Sequence, residues 1–272
     1  MPPACEDLLR HCLLLDIEVN EKNVIYALGA VLGEQVFQIP AGEKIDRDTL
    51  AELDAFAAEA RFVLGHNILN HDLPRLRQVA PELRFLRKPK IDTLFLSPLA
   101  YPANPYHRLI KNYQLVRDSI NDPVQDGRLA GRVFTEQWDA LQGQFAARAD
   151  IPLLYRGFLA ADADLSGTAE ALAAMGIPLL TGEDLLETFA WFARECACRP
   201  AVEQLVLQLG DGALPTAPLA YVTAWLSVAG GNSVLPPWVR HQFPQVPVLL
   251  HQLRENNCRR ADCAFCRTHH DP

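Results

Sequence analysis

The sequence predicts an α/β fold: a mixed sheet, in which an antiparallel meander is joined by parallel strands, flanked by helices and followed by a mostly helical region. Three observations predict it. Three extended runs open the chain with only short turns between them; a helix-spaced run then leads into a strand that ends at Gly65; and from about residue 135 strand signals fade while helical spacing continues.

The elements follow in order. Residues 12–19, 24–32 (VIYALGAVL) and 35–39 (QVFQI) are extended, with turns at 20–23 and at Gly33-Glu34, which is the pattern of a meander. Asp46 or Asp48 caps a helix running through Ala60, because Leu50, Leu53, Ala57 and Ala58 recur at helical spacing. Residues 61–64 form a strand, and a strand after a helix is a parallel addition to the sheet. Residues 73–80 read as a helix, 91–95 as a short element, and 106–116 as a helix with Leu109, Ile110, Tyr113 and Val116 on one side. Asp122 then fits an N-cap and Pro123 the first helical position, placing Asp126 one turn in, on the face of Asp122. Segments 138–147, 166–175, 183–195, 201–209 and 219–228 are helical. The expected division is 1–150 for the sheet domain, 151–250 for a helical accessory region, in which the Pro-rich stretch 233–247 is a rigid connector, and 251–272 for a Cys/His-rich tail.

The 272 residues are 49% hydrophobic, enough for a sizeable core. No apolar run approaches the roughly 20 residues of a membrane span, and the start MPPACEDLLRH carries acids where a signal peptide needs positive charge. A cytoplasmic location is expected. Seven cysteines, unevenly placed, argue against a disulfide framework, and a net charge of -8 argues against non-specific coating of nucleic acid.

The run LLLDIEV carries two carboxylates on one strand face, since Asp16 and Glu18 alternate with the apolar Leu15, Ile17 and Val19. Like charges so placed repel, and a divalent cation relieves them; a strand end whose acids turn into solvent is the plainer alternative. Further on, Gly65-His66-Asn67 is followed by Asp72, and Asp126 opens a later helix. Asp16-x-Glu18 on a strand, Gly-His-Asn with an Asp five residues after the Asn, and an Asp at a helix start together resemble the DnaQ-like family of 3′-5′ exonucleases, the group named for four acidic residues (DEDD). The likeness covers about residues 10–140.

That resemblance implies an RNase H-like sheet and phosphodiester hydrolysis by two Mg²⁺ or Mn²⁺ ions. Carried over, Asp16 would bridge both ions, Glu18 and Asp126 would complete the site of the water-activating one, and Asp72 would hold the second largely through water. Asn67 would lie beside the terminal nucleotide, with His66 next to it. For His66 and Asn67 a hydrogen-bonded strand exit, and for Asp72 a helix N-cap, are the structural alternatives. One departure matters. The family places a general base ahead of the last Asp, a His five or a Tyr four residues before it, and here those positions hold Asn121 and Asp122. His107 is a candidate base, a phosphate contact or a helix-start residue. Arg108 and Lys111 are candidate phosphate contacts, whereas Arg84, Arg87, Lys88 and Lys90 read as a solvated face; Tyr106 and Phe37 are candidate wedges for bases.

In the tail, Cys258-x4-Cys263-x2-Cys266 and the nearby His269 and His270 suit a Cys3His zinc site with Cys258, Cys263, Cys266 and His270 as ligands, or an iron–sulfur cluster if a fourth Cys comes from elsewhere. Residues 121–126 (NDPVQD), 232–239 (NSVLPPWV) and this tail also resemble the exonuclease module at the N-terminus of bacterial RecQ-like helicases, which implies a helicase motor beyond Pro272. No phosphate-cradling Gly-x4-Gly-Lys-Ser/Thr loop occurs in the chain. The expected function is metal-dependent 3′-5′ exonucleolysis of single-stranded DNA ends. A related exoribonuclease or oligonucleotidase, and a catalytically weak nucleic-acid-binding or docking module, are the alternatives.

Overall fold

A computed structural model describes residues 1–103, 122–228 and 234–270. Helix α1 (Pro3–Arg10) leads into strands β1 (Cys12–Val19), β2 (Ile25–Leu32) and β3 (Gln35–Ile39), then α2 (Arg47–Phe56), β4 (Phe62–Gly65), α3 (Asp72–Val79), β5 (Lys90–Asp92) and α4 (Thr93–Ala100). After the segment outside the described residues come α5 (Pro123–Ala147), α6 (Asp150–Leu159), α7 (Ser166–Ala174), α8 (Gly182–Ala193), α9 (Arg199–Gly210), α10 (Ala217–Ser227), α11 (Pro237–Gln242), α12 (Gln245–Arg254) and α13 (Ala264–His269). The fold is α/β with a five-stranded mixed sheet of order β3-β2-β1-β4-β5, antiparallel across β1, β2 and β3 and parallel across β1, β4 and β5.

The chain divides into two compact units. The described part of the first is 1–96, 122–139 and 163–175, and that of the second is 97–103, 140–162, 176–228 and 234–270. The expected boundary at residue 150 therefore differs from the observed one in two ways: the division falls inside α5, and α7 belongs with the sheet, packed against β5 and α1.

In the first unit, strand alternation separates two faces. Leu13, Leu15 and Ile17 lie opposite Leu32, Ala30 and Leu28, and this face forms the main core with Leu50, Leu53 and Ala57 from α2 and its C-terminal turn and Leu73 and Leu76 from α3. Each such fully buried Leu contributes about 1.5–3 kcal/mol. The opposite face carries Leu14, Asp16 and Glu18, paired with Val31, Gly29 and Ala27, and α5 covers part of it. The cap of α2 is Asp46, whose Oδ1 accepts the N–H groups of Asp48 and Thr49 at 3.1 Å each.

Of the basic residues at and before β5, Arg84 and Arg87 are exposed, as expected of a solvated face, while Lys88 and Lys90 turn inward. Arg84 Nε lies 2.6 Å from Asp54 Oδ2, Lys88 Nζ donates to the carbonyls of Ala57, Ala58 and Ala60 beyond the end of α2, and Lys90 is buried with Nζ 3.9 Å from Asp164. This corrects the solvated-face expectation for Lys90 in particular: the strand it starts pairs with β4 and leaves its stem no solvent.

In the second unit, α6, α8 and α10 bury aromatic residues against one another. Phe158 meets Phe189 edge to face at 5.6 Å, and Tyr221 stacks on Phe243 at 4.9 Å. The Pro-rich stretch is not a bare connector; from Pro237 it becomes α11 and then α12, each with a proline in its first turn, where the missing N–H costs nothing. No helix among the described residues is long and apolar enough to cross a membrane.

Candidate metal centre

The acidic site grows from the way β1 outruns its neighbour. Parallel pairing with β4 stops at Leu14, so the following edge of β1 has free backbone groups. Asp72 Oδ1 takes one of them, accepting Ile17 N–H at 2.8 Å. Asp72 is 2% exposed, and its Oδ2 lies 3.3 Å from His71 Nδ1. The expectation of Asp72 as an N-cap is thereby corrected: His71 holds the cap position and Asp72 is the first helical residue, its carboxylate turned back onto the strand.

From the other direction comes α5. Asp122 caps it as expected, Oδ1 accepting Val124 N–H at 3.1 Å and Gln125 N–H at 3.4 Å, with Pro123 first in the helix. What lets this helix start press on the sheet is Gly29, the partner of Asp16 in β2: a Cβ there would stand 2.3 Å from Val124 N and 2.4 Å from Pro123 C. Gly127, one turn into α5, faces the Leu14 carbonyl.

The result is that carboxylate oxygens of Asp16, Glu18 and Asp126 lie within 4.8 Å of one another. Burial and the charges of Asp72, Asp126 and Glu18 push Asp16 up to about 8. Glu18 is raised by burial and by Asp126, with His71 opposing, and Asp126 is raised by burial and by Asp122. His71, held by Asp72, is itself raised. Three oxygen-bearing groups that resist ionising together form a set that a hard divalent cation fits, since its charge offsets the repulsion and its preferred ligands are oxygens. Asp72 stands outside the closest trio, near enough to bear on Asp16, with both oxygens engaged by the protein.

The strand exit beside the site is tightly specified. A Cβ on Gly65 would lie 2.2 Å from Ile68 Cγ2 and 2.6 Å from the Leu15 carbonyl. Asn67 is left-handed (φ 62°), a region Asn tolerates, and its N–H donates to Asp92 Oδ1 at 2.9 Å. Fully buried Asp92 also accepts from Leu94 N at 2.9 Å and, on Oδ2, from Leu69 N at 3.0 Å. Burial raises it to about 6 against the pull of these donors. His66 Nδ1 pairs with Thr93 Oγ1 at 2.9 Å. The hydrogen-bonded strand exit is thus what the structure shows for His66 and for the Asn67 backbone. Phe37, a candidate base wedge, packs on Phe56 at 5.7 Å. His107, Arg108, Lys111, Tyr106 and Asn121 lie outside the described residues.

A second cluster lies in the second unit. The sulfurs of Cys198, Cys258, Cys263 and Cys266 come within 4.8 Å of one another. This corrects the Cys3His expectation: His270 is not in the set, its ring lying edge-on to those of Phe265 and His269 at 6.1 and 4.9 Å, and Cys198 supplies the fourth group. Sequence reasoning missed Cys198, Gly29 and Asp92. Cys198-Arg199-Pro200 carries a helix-start signal that could have drawn attention to the first; the other two have no local signal. No protein-family model, curated protein or solved structure matches the chain.

Proposed function

We propose that the acidic cleft on β1 is the centre of a 3′-5′ exonuclease acting on single-stranded DNA ends with two Mg²⁺ or Mn²⁺ ions, on an RNase H-like sheet of the DnaQ-like kind. The observation that carries the reading is the trio itself, Asp16, Glu18 and Asp126 within 4.8 Å, with Asp16 raised to about 8 by burial and by its acidic neighbours. The meander flanked by parallel strands and the order of the motifs along the chain support the fold assignment. When bound, the ions supply charge neutralisation at the scissile phosphate and an activated water. The residues of the chain do the rest. Asp16, Glu18 and Asp126 would hold the ions; Asp72 locks the open edge of β1 through Ile17 N–H; Asp92 fixes the turn that carries Asn67, which would lie beside the terminal nucleotide.

A second reading is favoured by one observation. Asp122, in the position of a family base, is committed to capping α5. A catalytically weak nucleic-acid-binding or docking module, attached to a RecQ-like helicase in the same polypeptide, would fit that. The experiment is incubation of 5′-labelled DNA and RNA single strands with Mn²⁺ or Mg²⁺, beside Asp16→Ala. Shortening from the 3′ end that the variant abolishes supports the exonuclease, and the preferred strand gives the sugar. Binding without shortening of either strand overturns it in favour of the docking module.

A further inference from the structure

We propose that Cys198, Cys258, Cys263 and Cys266 form a structural zinc site that fastens the tail onto the start of α9, independently of the acidic cleft.

Distance comes first. A tetrahedral Zn²⁺ with Zn–S bonds of about 2.3 Å sets its sulfurs about 3.8 Å apart. Four sulfurs all within 4.8 Å of one another fit that spacing. A four-iron cluster seats each thiolate on a separate iron and needs the sulfurs spread wider.

The backbone is arranged for thiolates. Cys198 is the N-cap of α9, at the positive end of the helix dipole. Arg199 and Cys266 N–H groups point at Cys263, and Cys258 N–H points at Cys266. The tight turn between the first two tail cysteines is held by a left-handed Arg259 (φ 54°), whose N–H donates to Asn257 Oδ1 at 2.9 Å. Four thiolates around Zn²⁺ leave a net charge of about -2, and a cleft beside Cys266 is lined by Arg259, Arg260 and Arg267.

Packing supplies the need for an ion. The local apolar cluster consists of Cys198, Cys263, Phe265 and Cys266, three of them cysteines. That is too little buried surface to order a segment of a dozen residues, the circumstance in which small structures rely on a metal. Around it the scaffold is rigid: Cys198 N–H donates to Leu253 O at 2.7 Å, and Arg254 donates to Cys196 O at 2.6 Å with its guanidinium 5.0 Å from the Phe265 ring.

The test uses the full chain expressed with both zinc and iron supplied. Elemental analysis should find one zinc per chain with neither iron nor labile sulfide, and X-ray absorption on the zinc should show four sulfur neighbours at about 2.3 Å. Cys198→Ser should lose most of the zinc, while His270→Ala and Cys196→Ser keep it. The absorption spectrum on wild type stands even where Cys198→Ser fails to fold. Iron with sulfide, a three-sulfur-one-nitrogen shell, or metal-free protein with four reactive thiols would each overturn the proposal.

Discussion

The two clusters meet the same geometric description and differ in everything else. Asp16, Glu18 and Asp126 gather on a partly exposed sheet face, whereas Cys198, Cys263 and Cys266 are buried and Cys258 is half-buried. Closed sets of soft ligands make permanent structural sites, and open sets of hard ligands leave positions for water and substrate. Proximity of titratable groups therefore says that an ion fits; donor type and closure say what the ion is for.

The comparison is tested most sharply by emptying one cluster without the other. Asp16→Ala should lower turnover on the order of 10³-fold or more, equivalent to roughly 4 kcal/mol of transition-state stabilisation, while zinc content stays at the wild-type value. Activity retained by Asp16→Ala, or lost by Cys198→Ser in protein that still melts cooperatively and still binds Mn²⁺, would erase the distinction.

Next in size is the glycine that lets α5 reach the sheet. Gly29→Val places methyl groups where Val124 N and Pro123 C already stand, so α5 must move away, at a cost of about 1–3 kcal/mol. Asp126 moves with it. The expected result is a lower Tm together with weakened Mn²⁺ binding by calorimetry, with zinc unchanged; a variant that binds Mn²⁺ like wild type would show that α5 is not positioned by this contact. Gly143→Ala, at an exposed helical position where a Cβ meets nothing and no positive φ is involved, is the control for an effect of losing any glycine.

An effect of similar size on stability, but with no acid of the trio displaced, is expected at the strand exit. Asp92→Asn keeps the shape but turns an amide N–H₂ toward backbone donors, so at least one of the bonds from Asn67, Leu69 and Leu94 is lost. Stability should fall by about 1–3 kcal/mol, and hydrogen exchange should accelerate at residues 67–69 before it does in β1. Unchanged protection there would remove Asp92 from the support of the site.

What the sequence made legible follows from the range over which each constraint acts. Asp16 and Glu18 share a face because strand alternation is local, and the Asp122-Pro123 helix start needs four residues to be read. The cysteines at 258, 263 and 266 announce themselves by spacing. Cys198 does not, because its meeting with them depends on α9 and α12 packing together, and no short window of sequence contains that. Gly29 is equally silent: within VIYALGAVL it looks like a weak point in a strand, and only the approach of Pro123 and Val124 explains it. Asp72 was half-legible. A helix start was visible, but the capture of Ile17 N–H depends on β4 ending its pairing at Leu14. The return of α7 to the sheet unit was hidden for the same reason, since its partners β5 and α1 are distant in sequence.

The smallest predicted effect is also the most specific to the open site. Facing Asp16 are Glu18 on the same strand, Asp126 from α5, and Asp72 with its neighbour His71 at the start of α3. Its carboxyl, ordinarily at 3.8, is raised to about 8, so the metal-free fold prefers it protonated. A raised carboxyl contributes stability that is present at low pH and is lost as pH rises from about 4 to about 8, because the unfolded chain gives up its proton first. An ion held by the three carboxylates keeps Asp16 ionised in the folded state and cancels that loss, releasing a proton as it binds. The rise in Tm on adding Mn²⁺ should accordingly grow by a few degrees between about pH 5 and pH 8, and the growth should be largely absent in Asp16→Asn. The zinc site predicts no such gain from Mn²⁺, since thiolates select softer ions. A Mn²⁺-induced shift that is flat across this range in the wild type would mean that Asp16 is not where the hard cation binds, and the contrast between the two clusters would then rest on burial alone.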